Sequence, residues 1–295
     1  MPQRTSLADA DCAIAQALDV VGDWWTLLIV RDTARGVHRF DALQEELGVS
    51  RKVLTERLRL LVDAGVLSRE PYQDRPPRYE YRLTRRGRAL LPVLIALQDW
   101  GDTWVLGEGE TMATAAESSK EAARVHALVG NRLPALRLLD HDGAPRDPVA
   151  DTPYTVLYFF PGAYARRDAY PPGWSEIPGA SGCTLESCTY RDQLAEFTAA
   201  GATVHGVSTQ RPDEQRAFAD AERLRFPLLS DAELELTAAL RLPTFRAGGT
   251  SRMKRLTLVV DRDRTVREAL YPITDIEASV RAALTAVRSG DPSGA

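Results

Sequence analysis

Cysteine is scarce in this 295-residue sequence, which contains only Cys12, Cys183 and Cys188. The last two nevertheless lie five positions apart, in the stretch SGCTLESCTYRD. Three explanations are usual for such a pair: a structural disulfide, half of a metal site, or two working thiols. The choice among them depends on the compartment and on the other ligands that the chain offers.

Long hydrophobic runs are also missing. No stretch of about 18 apolar residues occurs, so no membrane span is expected. The N-terminus is polar and acidic and has no apolar core of a signal peptide, which predicts a cytoplasmic protein, where lasting structural disulfides are rare. The four histidines are scattered and C-x4-C is not a usual zinc spacing, so no metal is expected. Working thiols remain.

The pattern along the chain predicts two domains. Residues 1–105 read as mostly helical, and residues 106–124 are small and polar, as in a linker. Residues 125–288 alternate apolar, β-rich runs with helical stretches, which predicts an α/β sandwich around a central sheet. We expect residues 289–295 to be disordered. The β-rich runs are YTVLYFF (154–160), ATVHGVS (202–208) and RLTLVVD (255–261).

A helix-turn-helix pattern lies in the first domain. Phe40, Leu43 and Leu47 have helical spacing, Gly48 ends that helix, and Ser50 can cap the next one. The second helix has one inward apolar stripe, whereas its first turns carry basic side chains. Basic residues are unfavourable near the positive N-terminus of a helix, so their presence predicts an anionic partner such as a phosphate.

A β-hairpin follows this helix. The runs VLSREPY and RYEYRL flank QDRPP, as in the wing of a winged helix. Between residues 51 and 88 there are eleven basic and five acidic side chains, a local charge of +6 in a chain whose net charge is −4. Helix, wing and charge together predict a surface for double-stranded DNA. Its candidate residues are Ser50, Arg51, Lys52, Thr55, Arg59, Arg75 and Arg78.

Residues 12–104 resemble the HxlR family of winged helix-turn-helix regulators. The resemblance is carried by Cys12, ALDVVGDWWTLLIVRD (17–32), RFDALQEELGVSRKVLTERLRLLVDAGVLSR (39–69) and PPRYEYRLTRRGRALLPVL (76–94). It implies a homodimer that grips DNA with two recognition helices, and the apolar helix at about 84–104 is the candidate interface. Cys12 is a candidate redox sensor, because some members use a cysteine at this place; the alternative is a small buried apolar residue.

The spacing of the cysteine pair predicts a conformational change on oxidation. TLESCTYRDQLAEFTAA reads as one helix, with Cys183 in its first turn after Gly182. The positive helix end would stabilise a thiolate there. Five residues further on, Cys188 would lie about 7.5 Å along the axis. Since a disulfide needs Cα atoms within about 6.8 Å, the two sulfurs can join only if the first turn unwinds.

Residues 130–285 resemble the peroxiredoxin superfamily, nearest the PrxQ or bacterioferritin comigratory protein type. The matching segments include YTVLYFFPG, GCTLESCTYRD, AAGATVHGVSTQ, FPLLSD, LRLPTF and KRLTLVVDRD. The resemblance implies a thioredoxin-like fold, peroxidatic Cys183, resolving Cys188, and Arg255 beside the thiolate. It also implies a hydroperoxide substrate, a thioredoxin-like reductant and no cofactor.

Two departures from that pattern affect the expected activity. The family's proline and threonine ahead of the cysteine are Glu176 and Ala180 here, and the methyl group of Ala180 cannot hydrogen-bond a peroxide. An extra stretch at 163–180 precedes the cysteine, with Tyr170 and Trp174 as candidate walls of a different pocket. Fast peroxide reduction is therefore less expected than thiol oxidation.

Three functions stay open from the sequence. The first is a redox-responsive transcriptional regulator whose peroxiredoxin-like domain senses oxidant through Cys183 and Cys188. The second is a thioredoxin-dependent thiol peroxidase tethered to DNA. The third is a regulator that senses through Cys12 alone, with a degenerate second domain.

Overall fold

The computed structural model describes residues 11–290, in two compact units that divide after Leu94. This division comes before the predicted boundary at residue 105. The predicted linker, 106–124, belongs to the second unit, because Ala113 and Ala122 in it are fully buried in apolar clusters of that unit. The predicted disordered tail lies outside the described residues from 291 onward.

The first unit forms a helical core with a two-stranded hairpin. Apolar side chains at helical spacing, among them Ile29, Leu43, Leu54 and Leu58, are buried together in one cluster. Gly48 adopts a left-handed conformation with φ 61° and ends the third helix, as predicted. The elements are helices Ala13–Val21, Trp24–Ala34, Phe40–Leu47, Arg51–Asp63 and Arg85–Arg88, and strands Leu67–Asp74 and Pro77–Leu83. The next helix, Leu91–Trp104, begins in this unit and ends in the second.

The second unit is built on a seven-stranded mixed sheet within the described residues. Tyr154–Phe159 is an interior strand, parallel to Ala202–Ser208 on one side and antiparallel to Leu256–Asp261 on the other. The strand order is Val266–Leu270, Leu256–Asp261, Tyr154–Phe159, Ala202–Ser208, Leu228–Ser230, Leu138–Asp140 and Pro145–Arg146. Thr244–Ala247 and Thr250–Met253 form a separate hairpin. The helices are Lys120–His126, Cys183–Asp192, Leu194–Ala199, Pro212–Glu222, Glu235–Leu240 and Ile276–Ser289.

Both faces of the sheet are covered. Along the interior strand Tyr154–Phe159, Leu157 and Phe159 belong to one apolar cluster, whereas Val156 and Tyr158 belong to another. This alternation follows from the two-residue period of a strand and explains why the run YTVLYFF is apolar throughout. The second cluster also contains Cys183, so the cysteine helix packs on this face of the sheet.

The predicted fold classes are confirmed: a helical helix-turn-helix region precedes a mixed-sheet, thioredoxin-like region. The predicted single helix through residues 184–200 is wrong in one respect, because it is interrupted at Gln193 into Cys183–Asp192 and Leu194–Ala199. Among the described residues, no single helix is long and apolar enough to cross a membrane; one bent pair, Ala13–Val21 with Trp24–Ala34, passes by length and composition only.

Candidate functional site

Cys183 is the first residue of the helix Cys183–Asp192, as the sequence predicts. The turn before it depends on Gly182, which has φ 105° and whose missing side chain leaves room for Ile276; a Cβ there would lie 2.5 Å from Ile276 Cδ1. The Cys183 side chain is buried, and its Sγ lies 3.6 Å from the carbonyl oxygen of Ala180. The backbone conformation of Gly182 therefore determines the position of the Cys183 side chain.

Arg255 comes to Cys183 from a strand that lies far along the chain from the cysteine helix. It stands just before the strand Leu256–Asp261, and its Nη2 lies 3.6 Å from Cys183 Sγ and 3.0 Å from the carbonyl oxygen of Ser181. The same guanidinium donates through Nη1 to the buried carboxylate of Glu186. The structure thus joins Cys183, Arg255 and Glu186 in one buried cluster.

In this cluster, burial and the charge of Arg255 have opposite effects on the pKa values of Cys183 and Glu186. Burial raises the pKa of the Cys183 thiol, and the positive charge of Arg255 partly offsets that rise. Burial also raises the pKa of Glu186, to about 7, again against Arg255. The thiolate expected from the helix N-terminus is therefore disfavoured in the reduced protein, since desolvation outweighs the neighbouring charge. Arg255 is the largest of the contacts that lower the pKa of the Cys183 thiol and so favour the thiolate; the backbone at Gly162 is another.

Cys188 lies on the same continuous helix as Cys183, and both thiols are free. Cys188 is partly exposed, and its Sγ lies 3.3 Å from Glu222 Oε2, at the end of the helix Pro212–Glu222. Burial and the Glu222 carboxylate both raise the pKa of the Cys188 thiol. The second cysteine is thus held in the wound helix as a neutral thiol that donates to a carboxylate.

A cleft of about 590 Å³ opens beside Cys183. Trp174 and Tyr170 from the extra stretch line it, as the sequence predicts, and their ring centroids are 5.7 Å apart. Ala180 lies at its floor and is completely buried. No group of three or more histidine, cysteine or acidic side chains that could hold a metal ion occurs among the described residues.

In the first unit, the helix Arg51–Asp63 presents its predicted basic side chains to solvent. Ser50 caps it by accepting from the backbone N–H of Val53, at 3.3 Å. Arg51 pairs with Asp41 at 3.2 Å, and Arg59 with Asp63 at 3.5 Å. These pairs are exposed and weak, so a phosphate can replace the carboxylate. Lys52 and Thr55 are also exposed.

The predicted wing is the hairpin of strands Leu67–Asp74 and Pro77–Leu83. Arg75 stands at its turn, and Arg78 pairs in register with Gln73 next to that turn; both arginines are exposed. Arg57 had counted toward the local charge, but it forms an ion pair with Asp23 at 2.9 Å and is only partly exposed. Fewer basic side chains are consequently exposed and available to a DNA phosphate than the count of basic residues between 51 and 88 indicates.

Comparisons with known proteins match each unit separately. A model of HxlR-like helix-turn-helix proteins matches residues 20–108, and a model of the AhpC/TSA family matches residues 177–269. An uncharacterized HTH-type transcriptional regulator of Mycobacterium bovis is 45% identical over 93 residues, covering 32% of this chain and 59% of that protein. A putative peroxiredoxin of Mycobacterium tuberculosis is 32% identical over 167 residues, covering 55% of this chain and 98% of that protein.

Among solved structures, peroxidoxin BcpB from M. tuberculosis has a TM-score of 0.45 and 30% identity, over 55% of this chain and 97% of that one. The peroxiredoxin relative is matched over nearly its whole length, whereas the chain spans about 59% of the M. bovis regulator. This chain joins an HxlR-like helix-turn-helix domain to a peroxiredoxin domain.

Within the peroxiredoxin domain, sequence reasoning missed both carboxylates that contact the cysteine cluster. Glu186 carried a local signal, because it stands one helical turn after Cys183 and so on the same face of the helix. Glu222 carried none, since it is far from Cys188 along the chain. Cys12, in the HxlR-like domain, is exposed and precedes the helix Ala13–Val21.

The contact between Glu222 and Cys188 yields a measurable prediction. In a Cys183→Ser background, Glu222→Gln should lower the pKa of the Cys188 thiol and speed its alkylation by iodoacetamide at pH 7.5 by about threefold, because the thiolate is the form that reacts. Glu196→Gln, which removes an exposed carboxylate paired with Arg288, should leave the rate unchanged. Equal rates in the wild type and Glu222→Gln would contradict the assignment.

Lys52 offers a second prediction, for the HxlR-like domain. It is exposed in the first turn of the helix Arg51–Asp63. If it contacts a phosphate, Lys52→Ala should weaken DNA binding and reduce the slope of log K against log salt by about one unit. Arg281→Ala, an exposed arginine of the peroxiredoxin domain, is the charge-matched control. A slope that stays the same in Lys52→Ala would exclude the contact.

Proposed function

We propose that the protein is a cytoplasmic, redox-responsive transcriptional regulator, in which the peroxiredoxin domain senses hydroperoxide through Cys183 and Cys188 and changes the DNA affinity of the HxlR-like domain. The observation that carries the proposal is the placement of both free thiols on one continuous helix, with Arg255 3.6 Å from Cys183. A peroxide would oxidise Cys183 to a sulfenic acid, and Cys188 would condense with it to a disulfide and water.

Formation of that disulfide requires the helix to unwind, for the reason given by the spacing. Unwinding would break the Glu222–Cys188 contact and displace the segment that precedes Cys183. That segment contacts residues 106–124, the stretch that the sequence predicts as a linker. Ala113 N–H donates to the carbonyl oxygen of Pro178 at 2.9 Å, and Ala113 packs with Trp174 and Ala180. A change at the thiols thereby reaches residues that lead back toward the HxlR-like domain.

The helix Leu91–Trp104 gives this signal a route along the chain. The division between the two units falls inside it, after Leu94. Its Asp99 is buried in the peroxiredoxin domain and accepts from Thr244 and from Ser251, the latter at 3.0 Å. The chain therefore passes from one unit to the other within a helix, and not within a flexible linker of the predicted kind.

The same helix supports a homodimer. Val93, Leu97, Trp100 and Trp104 recur at intervals of four, three and four residues and are 53% to 63% exposed. Such a stripe on a helix is apolar surface that a second helix can cover. A dimer would place two recognition helices on one DNA duplex.

The decisive experiment measures DNA affinity before and after peroxide. A duplex selected from a random pool by the reduced full chain serves as the probe. Peroxide should change the Kd of the wild type and of Cys12→Ser by tenfold or more, and leave Cys183→Ser unchanged. An unresponsive wild type, or a Cys183→Ser variant that responds fully, would sink the proposal; a response lost only in Cys12→Ser would favour sensing through that cysteine.

A peroxidase tethered to DNA is the second candidate, and the intact cysteine pair favours it. Turnover separates the two, because a sensor needs one oxidation for each event, whereas an enzyme must cycle with a dithiol reductant such as a thioredoxin. Sustained peroxide consumption with thioredoxin and its reductase, at unchanged DNA affinity, would establish the peroxidase instead.

A further inference from the structure

A second cavity, of about 290 Å³, lies in the peroxiredoxin domain, and none of the described residues that line it also lines the cleft beside Cys183. Most of its wall comes from residues 106–121, within the stretch that the sequence predicts as a linker. The rest comes from the end of the helix Leu91–Trp104 and from Thr244, Phe245 and Lys254. Its volume is close to the lower limit of sites for small organic ligands, which span roughly 300–1,000 Å³.

Much of the wall of this cavity is apolar. Phe245 is 4% exposed and packs with Trp174 and Ala180 in an apolar cluster, so its ring is held in place. Leu106 and Met112 also line the cavity, and both are exposed apolar side chains. Such a wall favours a ligand with an apolar body, because binding would remove this surface from water.

Four charged groups at the wall are already neutralised by one another. Asp102 accepts from Arg124 through both carboxylate oxygens, at 3.2 and 2.7 Å. Lys254 Nζ donates to both oxygens of Glu121, at 3.1 and 3.0 Å. A ligand that displaced either pair would leave a largely buried charge without its partner, which is costly. We therefore expect a ligand to leave both pairs intact.

The charges that remain free at the wall are mainly negative. Glu108 and Glu110 line the cavity, are exposed, and form no ion pair within the described part of the chain. Lys120 is exposed as well, and among the described lining residues it is the one basic side chain that is not paired with an acid. Two carboxylates against one ammonium favour a cationic ligand.

The end of a helix adds to this preference. Asp102 and Thr103, which line the cavity, belong to the last turn of the 14-residue helix Leu91–Trp104, and that turn contains no basic residue. The carbonyl oxygens at the C-terminus of a helix carry a partial negative charge, so a cation beside them is stabilised. This contribution comes from the backbone and is independent of the free carboxylates.

We propose that this cavity binds a small organic cation that joins an apolar ring system to one ammonium group. The ring system would contact Phe245 and Leu106, and the ammonium would pair with Glu108 and Glu110. The ligand is not the oxidant, and the inference goes beyond the proposed function, because none of these residues takes part in the thiol chemistry.

The test uses three probes that share a naphthalene ring and differ in charge: 2-(2-naphthyl)ethylamine, 2-(2-naphthyl)ethanol and 3-(2-naphthyl)propionate. Calorimetric titration of the reduced full chain gives the Kd of each probe. The amine should bind about tenfold more tightly than the alcohol, the factor that 1.4 kcal/mol gives. The propionate should bind more weakly than the alcohol.

Charge variants identify the contact. Glu108→Gln combined with Glu110→Gln should reduce the preference for the amine over the alcohol to less than threefold and leave the Kd of the alcohol unchanged. Glu117→Gln combined with Glu233→Gln is the matched control, because it removes two exposed carboxylates that do not line the cavity. The control should keep the wild-type preference.

A third variant fills the cavity. Ala116 lines it and is exposed, so Ala116→Trp should abolish the binding of all three probes while the circular dichroism spectrum stays that of the wild type. If Ala116→Trp does not fold, the charge variants decide alone.

Four results would overturn the inference: no binding of the amine to the wild type up to about 1 mM, equal affinity of the wild type for amine and propionate, an unchanged preference in the Glu108→Gln, Glu110→Gln variant, or wild-type affinity for the amine in a folded Ala116→Trp variant. None of these measurements involves peroxide or DNA, so the proposed function is tested separately.

Discussion

Arg255→Met is expected to slow oxidation of Cys183 by hydrogen peroxide by about 100-fold or more, the usual effect of losing one charge-stabilising donor at a reacting centre. Burial already raises the pKa of this thiol, and Arg255 is the group that offsets the rise. Without the guanidinium, the pKa should rise further, so the pH profile of the oxidation rate should move to higher pH. Stopped-flow oxidation across pH 6–10 measures both effects.

The same substitution should also destabilise the protein. It leaves Glu186 as an unpaired, fully buried carboxyl group, and breaking one partner of a buried ion pair costs roughly 3–5 kcal/mol. Equilibrium unfolding in urea measures the loss. If Arg255→Met is both slow and unstable, the slow oxidation could come from partial unfolding and not from the lost charge. A second variant is needed to separate these causes.

Arg255→Met combined with Glu186→Leu separates the two effects. Replacing both members of a buried pair by apolar side chains is often neutral for stability. The double variant should therefore regain most of the free energy of unfolding while Cys183 stays slow. If the double variant reacts at the wild-type rate, Arg255 does not activate the thiol.

The second large effect is expected from the exposed apolar stripe. If the proposed homodimer forms through this stripe, Leu97→Glu with Trp100→Glu should convert it to a monomer, because two charges would have to be desolvated at the centre of that interface, where aromatic side chains contribute most. DNA affinity should fall by about 100-fold or more, since a monomer contacts one half-site and so fewer phosphates. Light scattering after size exclusion and a Kd titration measure the two consequences.

Leu139→Glu is the control for that experiment, because Leu139 is also an exposed apolar residue, on the strand Leu138–Asp140 of the peroxiredoxin domain. It should leave mass and DNA affinity unchanged. A double variant that remains dimeric would locate the interface elsewhere. A monomer with full affinity would show that dimerisation is not needed for DNA binding.

The amino-acid sequence by itself determined the two folds and most of the local structure. The stop at Gly48, the cap at Ser50, the wing and the apolar interior strand all depend on residues within a few positions of one another. Hydrophobic periodicity and turn chemistry act over that range. The sequence also placed both cysteines on one helix, which makes unwinding a condition of their pairing.

The tertiary structure alone decided the environment of the thiols. Glu222 reaches Cys188, and Glu186 reaches Arg255, only because distant elements meet on one face of the sheet. Burial, which no local pattern fixes, reversed the expected effect of the helix end on the pKa of Cys183. The stretch that the sequence predicts as a linker is likewise held by a distant residue, because Ala113 N–H donates to the carbonyl oxygen of Pro178. Contacts between segments that are remote in sequence, and the desolvation that they cause, arise only when the chain packs. Patterns among neighbouring residues therefore cannot predict them.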